Sequence, residues 1–206
     1  MKTTMILIDV DGLLQRQLSL VEEWHKPECA PENSNSFYQL VYKQHRTNFK
    51  LWHEEDKARD PNASDNLIAT VKRSIDRLNQ KRNDEIEEID EELLKKLQQN
   101  SVKILEDATL NSETPGSIID RLSINALKIY HMDEEIQRRN VADEHRKKCS
   151  VKLSVLNDQR NDLKKSLETL LADLKDGKKR MKVYQQMKMY NDENLNPILY
   201  QKEKNK

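Results

Sequence analysis

Asp120 and His131 stand eleven residues apart in a stretch of helical periodicity. At about 100° per residue, that spacing brings them within about 20° of one another on one helix face. A histidine beside a carboxylate is the usual pair for moving a proton near neutral pH. His45 with Asp56 is a second such pair. His131, Asp120 and Asp56 are therefore the candidate catalytic groups.

The stretch from Phe37 to Arg59 places His45, Asn48, Glu55, Asp56 and Arg59 on the same broad face as Phe37, Val41, Phe49 and Trp52. Polar groups buried among aromatics cost free energy unless they meet partners. Helices of this chain should therefore share one polar interior site. Asp76, Asn79 and Asn83 form a stripe beside the apolar face of a second helix. Arg59, Arg121, Lys128 and Arg160 supply cations that could hold an anionic ligand. With Asn48 and Glu55 these residues make up the candidate ligand-binding set. The competing reading is a structural network that fixes helix register.

Metal chemistry has one candidate. Asp84, Glu87 and Asp90 follow one another at three-residue steps, which puts three carboxylates on nearby faces suited to magnesium. Magnesium-dependent helical pyrophosphohydrolases use acids at such spacing against a diphosphate. A di-iron bundle needs Glu-x-x-His on two helices. Glu22 and His25 offer it once, in the arm, so the di-iron pattern is not met. Asp9-Val10-Asp11-Gly12 is similar to the first motif of haloacid-dehalogenase-type phosphatases, but that fold needs a parallel sheet that the rest of the chain does not offer. The plainer reading of Asp9 is a helix cap in an accessory arm.

These groups must be positioned by helices. Three glycines and five prolines in 206 residues, with 35% of residues charged, favour long helices over sheet. The expected fold is an all-α bundle of four to five long, mostly antiparallel helices at 36–206, preceded by an arm at 1–35 with a short strand and a helix at about 13–24. Helices are expected at 36–59 and 65–99, the second capped by Ser64 or Asp65. A connector at 100–113 leads to a third helix with Thr114 as cap and Pro115 at its first position, ending near Asn140. A fourth runs over 142–176 and stops at Gly177. A shorter one at 178–190 should pack Met181, Tyr184 and Met187 onto the bundle. Cys149, Leu153, Leu156, Arg160, Leu163, Leu167, Leu170 and Leu174 form a heptad-type seam over 149–174, suited to a bundle partner, a homodimer or a hetero-partner. Arg160 interrupts that seam and calls for a counter-charge on another helix, or for snorkelling at the bundle edge.

Lys and Arg balance Asp and Glu at 36 each, which argues against a dedicated nucleic-acid binder. Cys29 and Cys149 are isolated thiols, as in a reducing, cytoplasmic setting. No apolar run approaches a membrane span, and Met1 to Val10 make a poor secretory signal.

A resemblance rests on specific residues. They include Trp52-His53 with Glu55-Asp56, Arg59-Asp60-Pro61, Lys72-Arg73, Ile75-Asp76, Asn79-Gln80, Arg82 and Asp84. They continue with Asn111, Glu113, Pro115, Asp120 to Ile124, Leu127 to Met132, Lys182-Val183-Tyr184, Lys188 to Asp192 and Leu195-Asn196-Pro197. On these the chain, from about 37 to 200, resembles the domain-of-unknown-function family 4254. The resemblance implies a bacterial helical protein that accompanies envelope sugar-transfer enzymes, and it names no reaction. Asn125 stands where that pattern leads us to expect Leu, and the arm at 1–35 lies outside the match. Three functions follow as expectations: binding of a small anionic or sugar-phosphate ligand with or without catalysis, magnesium-dependent hydrolysis of a nucleotide-like diphosphate, or a non-catalytic partner role.

Overall fold

The computed structural model describes residues 7–26, 37–189 and 192–200. Among them six helices form an all-α bundle: α1 (Val10–Trp24), α2 (Phe37–Lys57), α3 (Asp65–Gln99), α4 (Pro115–Gln137), α5 (Asp143–Lys175) and the single turn α6 (Pro197–Tyr200). None of them is long and apolar enough to cross a membrane.

Local chemistry sets the ends. The Ser64 side chain accepts from the Leu67 N–H and starts α3, and Thr114 accepts from the Ser117 N–H with Pro115 at the first turn of α4. Asp9 caps α1 by accepting from the Gly12 N–H at 3.1 Å. This is the plainer role, and it occupies Asp9 with the helix start. Gly177 ends α5 at φ +71, with the Lys178 N–H on the Asp173 carbonyl and the Gly177 N–H on the Leu174 carbonyl. That paired closure needs a residue free of a Cβ, since one at 177 would run into the Lys103 carbonyl.

Two expectations change. The stretch after Gly177 is extended, not helical. Lys179–Arg180 (β2) pairs in parallel with Thr109–Leu110 (β1), and residues 181–188 have no regular structure. The bonds from Leu105 N–H to the Gly177 carbonyl and from Asn111 N–H to the Arg180 carbonyl hold the chain straight, at the cost of its helical ladder. Met181 is buried as expected, but Tyr184 is 67% and Met187 81% exposed. Residues 7 and 8 are not strand; they lead directly into α1, while 1–6 of the expected strand lie outside the described residues.

The side-chain pairings define helix directions. Lys43 reaches Glu88 while Leu51 packs with Val71 and Ile75, so α2 and α3 are antiparallel. Arg160 meets the Leu122 carbonyl and His145 meets Glu135, so α4 and α5 are antiparallel. Between α1, α2 and α4 the pairs run the other way: Gln17 meets Ile119 and His45, and His25 meets Tyr130 and Phe49. These three helices are parallel and in register. The main core lies at one end, where Leu13, Val41, Ile89, Leu93, Ile119 and Leu122 pack with Leu167 and Leu174. A smaller cluster of Val21, Ala126 and Leu127 lies further along the same three helices. Burying a side chain of this kind contributes about 1.5–3 kcal/mol, so α1 is integral to the fold through Leu13, Leu20 and Val21.

The seam of α5 is turned inward on α4. Leu167, Leu170 and Leu174 are buried within the chain. Arg160 neither snorkels nor meets a carboxylate among the described residues. It is buried and donates to the Leu122 carbonyl at 3.1 Å, the Leu14 carbonyl at 2.7 Å and Asn125 Oδ1 at 3.4 Å. Asn125 also donates to the Leu156 carbonyl at 3.0 Å. Its amide therefore serves both α5 and the arginine.

Candidate functional site

A polar layer separates the two apolar clusters where α1, α2 and α4 meet. His45 is fully buried, with Nε2 2.9 Å from the Gln17 carbonyl and Nδ1 2.6 Å from Ser123 Oγ. A carbonyl only accepts, so Nε2 carries the proton and Nδ1 accepts from the Ser123 hydroxyl. Ser123 Oγ accepts in turn from Asn48 Nδ2 at 2.9 Å. The same amide donates to Asp120 Oδ1 at 2.9 Å, and Gln44 Nε2 donates to that oxygen at 2.5 Å. Arg82 on α3 closes the layer, its Nε 3.8 Å from Asp120 Oδ1.

Burial sets the electrostatics. It drives the His45 pKa down to about 4, against the Gln17 hydrogen bond, with the Arg160 charge adding to the decrease. Asp120 moves the opposite way. Burial raises its pKa, while the Asn48 bond, the Arg82 charge and the Gln44 bond hold it back. Burial also lowers Arg160 to about 10.

Beside this layer, Asn48, Leu51, Trp52, Glu55, Asp56, Arg59, Arg82, Ile124 and Leu127 line a cavity of about 390 Å³. The structure thus brings together Asn48, Glu55, Asp56 and Arg59 of α2, with Asp120 behind Asn48 and Arg82. Arg59 reaches Glu55 Oε2 at 2.8 Å at the mouth. The Arg82 Nε is buried and makes no hydrogen bond.

Other residues of the candidate set lie elsewhere. His131 shares a face with Asp120 but stands three turns further along α4, since eleven residues rise about 16 Å. Its Nδ1 bonds Glu134 Oε2 at 2.8 Å, so it is no proton-transfer partner of Asp120. His45 likewise does not meet Asp56, whose nearest imidazole is His53 at 3.8 Å. A helical wheel gives angle and omits rise, which is why both pairings fail. Asp76 is exposed and paired with Lys72, and Asn79 and Asn83 are half-buried. Arg121 pairs with Glu113 and, with Lys128, lines a separate cavity of about 450 Å³ between α4 and α5.

Asp84, Glu87 and Asp90 do not converge. Asp84 pairs with Lys188, Glu87 Oε1 accepts from the Gln186 N–H at 3.0 Å, and Asp90 Oδ1 accepts from the Gly116 N–H at 2.7 Å. Three-residue steps rotate successive side chains by about 60° short of a full turn. That is enough to hand each acid to a different neighbour. Gln17, Gln44, Arg82 and Ser123 escaped sequence reasoning. Gln and Ser are common on wet faces, and no spacing rule marks the few that are buried.

No curated protein and no solved structure matches the chain. A family model described as "Protein of unknown function (DUF4254)" matches residues 38–183, which takes in α2 to α5 and every residue of the polar layer except Gln17. The chain belongs to this family of unknown function.

Proposed function

We propose that this protein binds a small anionic ligand of the sugar-phosphate class in the cavity between α2, α3 and α4. The observation that carries the reading is Arg82. Its guanidinium borders a cavity of about 390 Å³, and its Nε is buried without a hydrogen bond beside a single carboxylate at 3.8 Å. A buried donor left unused costs about 1–3 kcal/mol. An oxyanion presented from the cavity would recover that cost. Arg59 at the mouth supplies a second cation, and the Glu55 and Asp56 carboxylates suit hydroxyl groups. The cavity volume is in the range of small-ligand sites. Sugar-phosphate chemistry accords with the association with envelope sugar-transfer enzymes that the family resemblance implies. Cys149, the lone thiol among the described residues, suits a cytoplasmic setting.

Asp120 positions the arginine in this reading, from behind the cavity wall. A thermal-shift screen with inorganic phosphate, hexose phosphates and nucleotide sugars tests the proposal. At least one phosphorylated sugar should raise the melting temperature, and Arg82→Gln should abolish that rise while leaving the unliganded protein folded. A screen with no response, or a response that Arg82→Gln leaves intact, rejects it.

A further inference from the structure

Eight residues beyond the polar layer, each of the three parallel segments brings a histidine: Gln17 is followed by His25, the residue that caps the end of α1, His45 by His53 and Ser123 by His131. An equal offset on helices in register advances all three by about 12 Å and turns them together. The three imidazoles therefore meet. One ring nitrogen of each lies within 4.8 Å of the others, and the rings are half-buried.

The hydrogen bonds fix which nitrogens face inward. His25 Nδ1 lies 2.7 Å from the Val21 carbonyl, and His131 Nδ1 lies 2.8 Å from Glu134 Oε2. Both partners only accept, so each Nδ1 carries the proton and each Nε2 presents a lone pair. The Nε2 atoms of His25 and His131 are buried and have no hydrogen-bond partner. His53 Nδ1 is 3.8 Å from Asp56 Oδ2, beyond hydrogen-bond reach, so either nitrogen of His53 is free to turn inward. Lone pairs directed at one another in a sheltered place repel unless something electron-poor stands between them. The planes are also fixed: Trp52 stacks on His131 at 4.9 Å and 7°, and Tyr130 stacks on His25 at 4.4 Å and 14°.

We propose that His25, His53 and His131 form a binding site for a divalent transition-metal ion of the zinc class. Imidazole nitrogens suit zinc, and the Val21 carbonyl and the Glu134 carboxylate fix the tautomers of His25 and His131 and raise their basicity, as in known three-histidine sites. An equilateral triangle of side 4.8 Å has corners about 2.8 Å from its centre, against about 2.0–2.1 Å for a zinc–imidazole bond. Each ring closes by less than about 1 Å. Three protein ligands leave a position free. His131 also lines a cavity of about 520 Å³ with Trp52, Met132 and Val155. The site joins α1, from outside the family match, to two helices within it.

The test uses the full-length chain stripped with a chelator. Calorimetric titration with zinc should give one ion per chain, and cobalt should give the visible absorption of a low-coordinate nitrogen site. Zinc should also raise the melting temperature, because it links three helices. His53→Ala and His131→Ala should each weaken zinc binding at least about 100-fold. Glu134→Gln, on an exposed side chain that does not touch the core, should weaken it about 10-fold or more through the outer partner. Arg82→Gln should leave zinc binding unchanged, which separates this site from the ligand cavity. The proposal is overturned by the absence of stoichiometric binding. Zinc or cobalt binding that survives in both His53→Ala and Glu134→Gln also overturns it, and the cluster is then aromatic packing alone.

Discussion

Asp90 on α3 accepts a 2.7 Å hydrogen bond from the backbone N–H of Gly116, in the first turn of α4. The contact sets an acid against the positive end of a helix and joins α3 to α4, both of which line the cavity of about 390 Å³. It also requires a glycine. A Cβ at 116 would stand 2.8 Å from Asp90 Cγ and 2.8 Å from the Ile86 carbonyl oxygen. The carbonyl is backbone and cannot turn aside.

Gly116→Ala should therefore destabilise the protein by about 1–3 kcal/mol, the usual cost of overpacking. Urea unfolding of parent and variant checks this. An alanine variant as stable as the parent means that α3 and α4 stand further apart than described here.

Burial pushes the Asp90 pKa up to about 6, with the Thr114 and Gly116 bonds holding it back. The folded protein then keeps this proton at a pH where the unfolded chain, with an Asp pKa near 4, has lost it. Stability from this group falls as pH rises from about 4 to about 6, by as much as about 3 kcal/mol. Asn keeps the acceptor and has no charge to bury. Asp90→Asn should remove this fall and be at least as stable as the parent at pH 8. Chemical denaturation across pH 4–8 measures it, and a variant that is less stable at pH 8 counts against the buried charge.

His45 acts in the other direction. Its folded pKa of about 4 lies below the unfolded value near 6.5. The unfolded chain takes up the proton first, so stability is lost as pH falls through that window, by as much as about 3.4 kcal/mol. Between about pH 4 and 6 the Asp90 and His45 contributions oppose one another. His45→Gln should unmask stabilisation on acidification from pH 6 to pH 4.5. The comparison of the two slopes by urea titration decides the matter; identical slopes in parent and variant contradict the assignment.

Arg160 is held by carbonyls of α1 and α4 and by an amide, with no carboxylate among the described residues. Arg160→Ala leaves the Leu14 and Leu122 carbonyls without this donor and opens space under the α5 seam. It should cost about 3 kcal/mol or more. Arg160→Lys keeps a charge but not the planar fork that spans two carbonyls, and should cost about half as much. Thermal melts of the two variants should fall in that order.

Helix positions were legible along the chain because their causes are local. Ser64, Thr114 with Pro115 and Gly177 start and stop helices by hydrogen bonds and steric limits within a few residues. Apolar periodicity put Asn48, Glu55, Asp56 and Arg59 on one face, and all four border the cavity, but only Asn48 is buried; Glu55 is half-buried and Asp56 and Arg59 are exposed, not interior. The stretch 178–190 misled because its helical pattern competes with backbone bonds to Leu105 and Asn111, about 70 residues earlier. Pairing was not legible. Angle around a helix follows from sequence spacing, but height along a neighbour depends on how helices are set against one another. Only the packed bundle made α1, α2 and α4 parallel and level. That choice gave His45 to Ser123 and brought His25, His53 and His131 to one place; the distance of Asp120 from His131, and of His45 from Asp56, follows instead from eleven residues of rise within one helix.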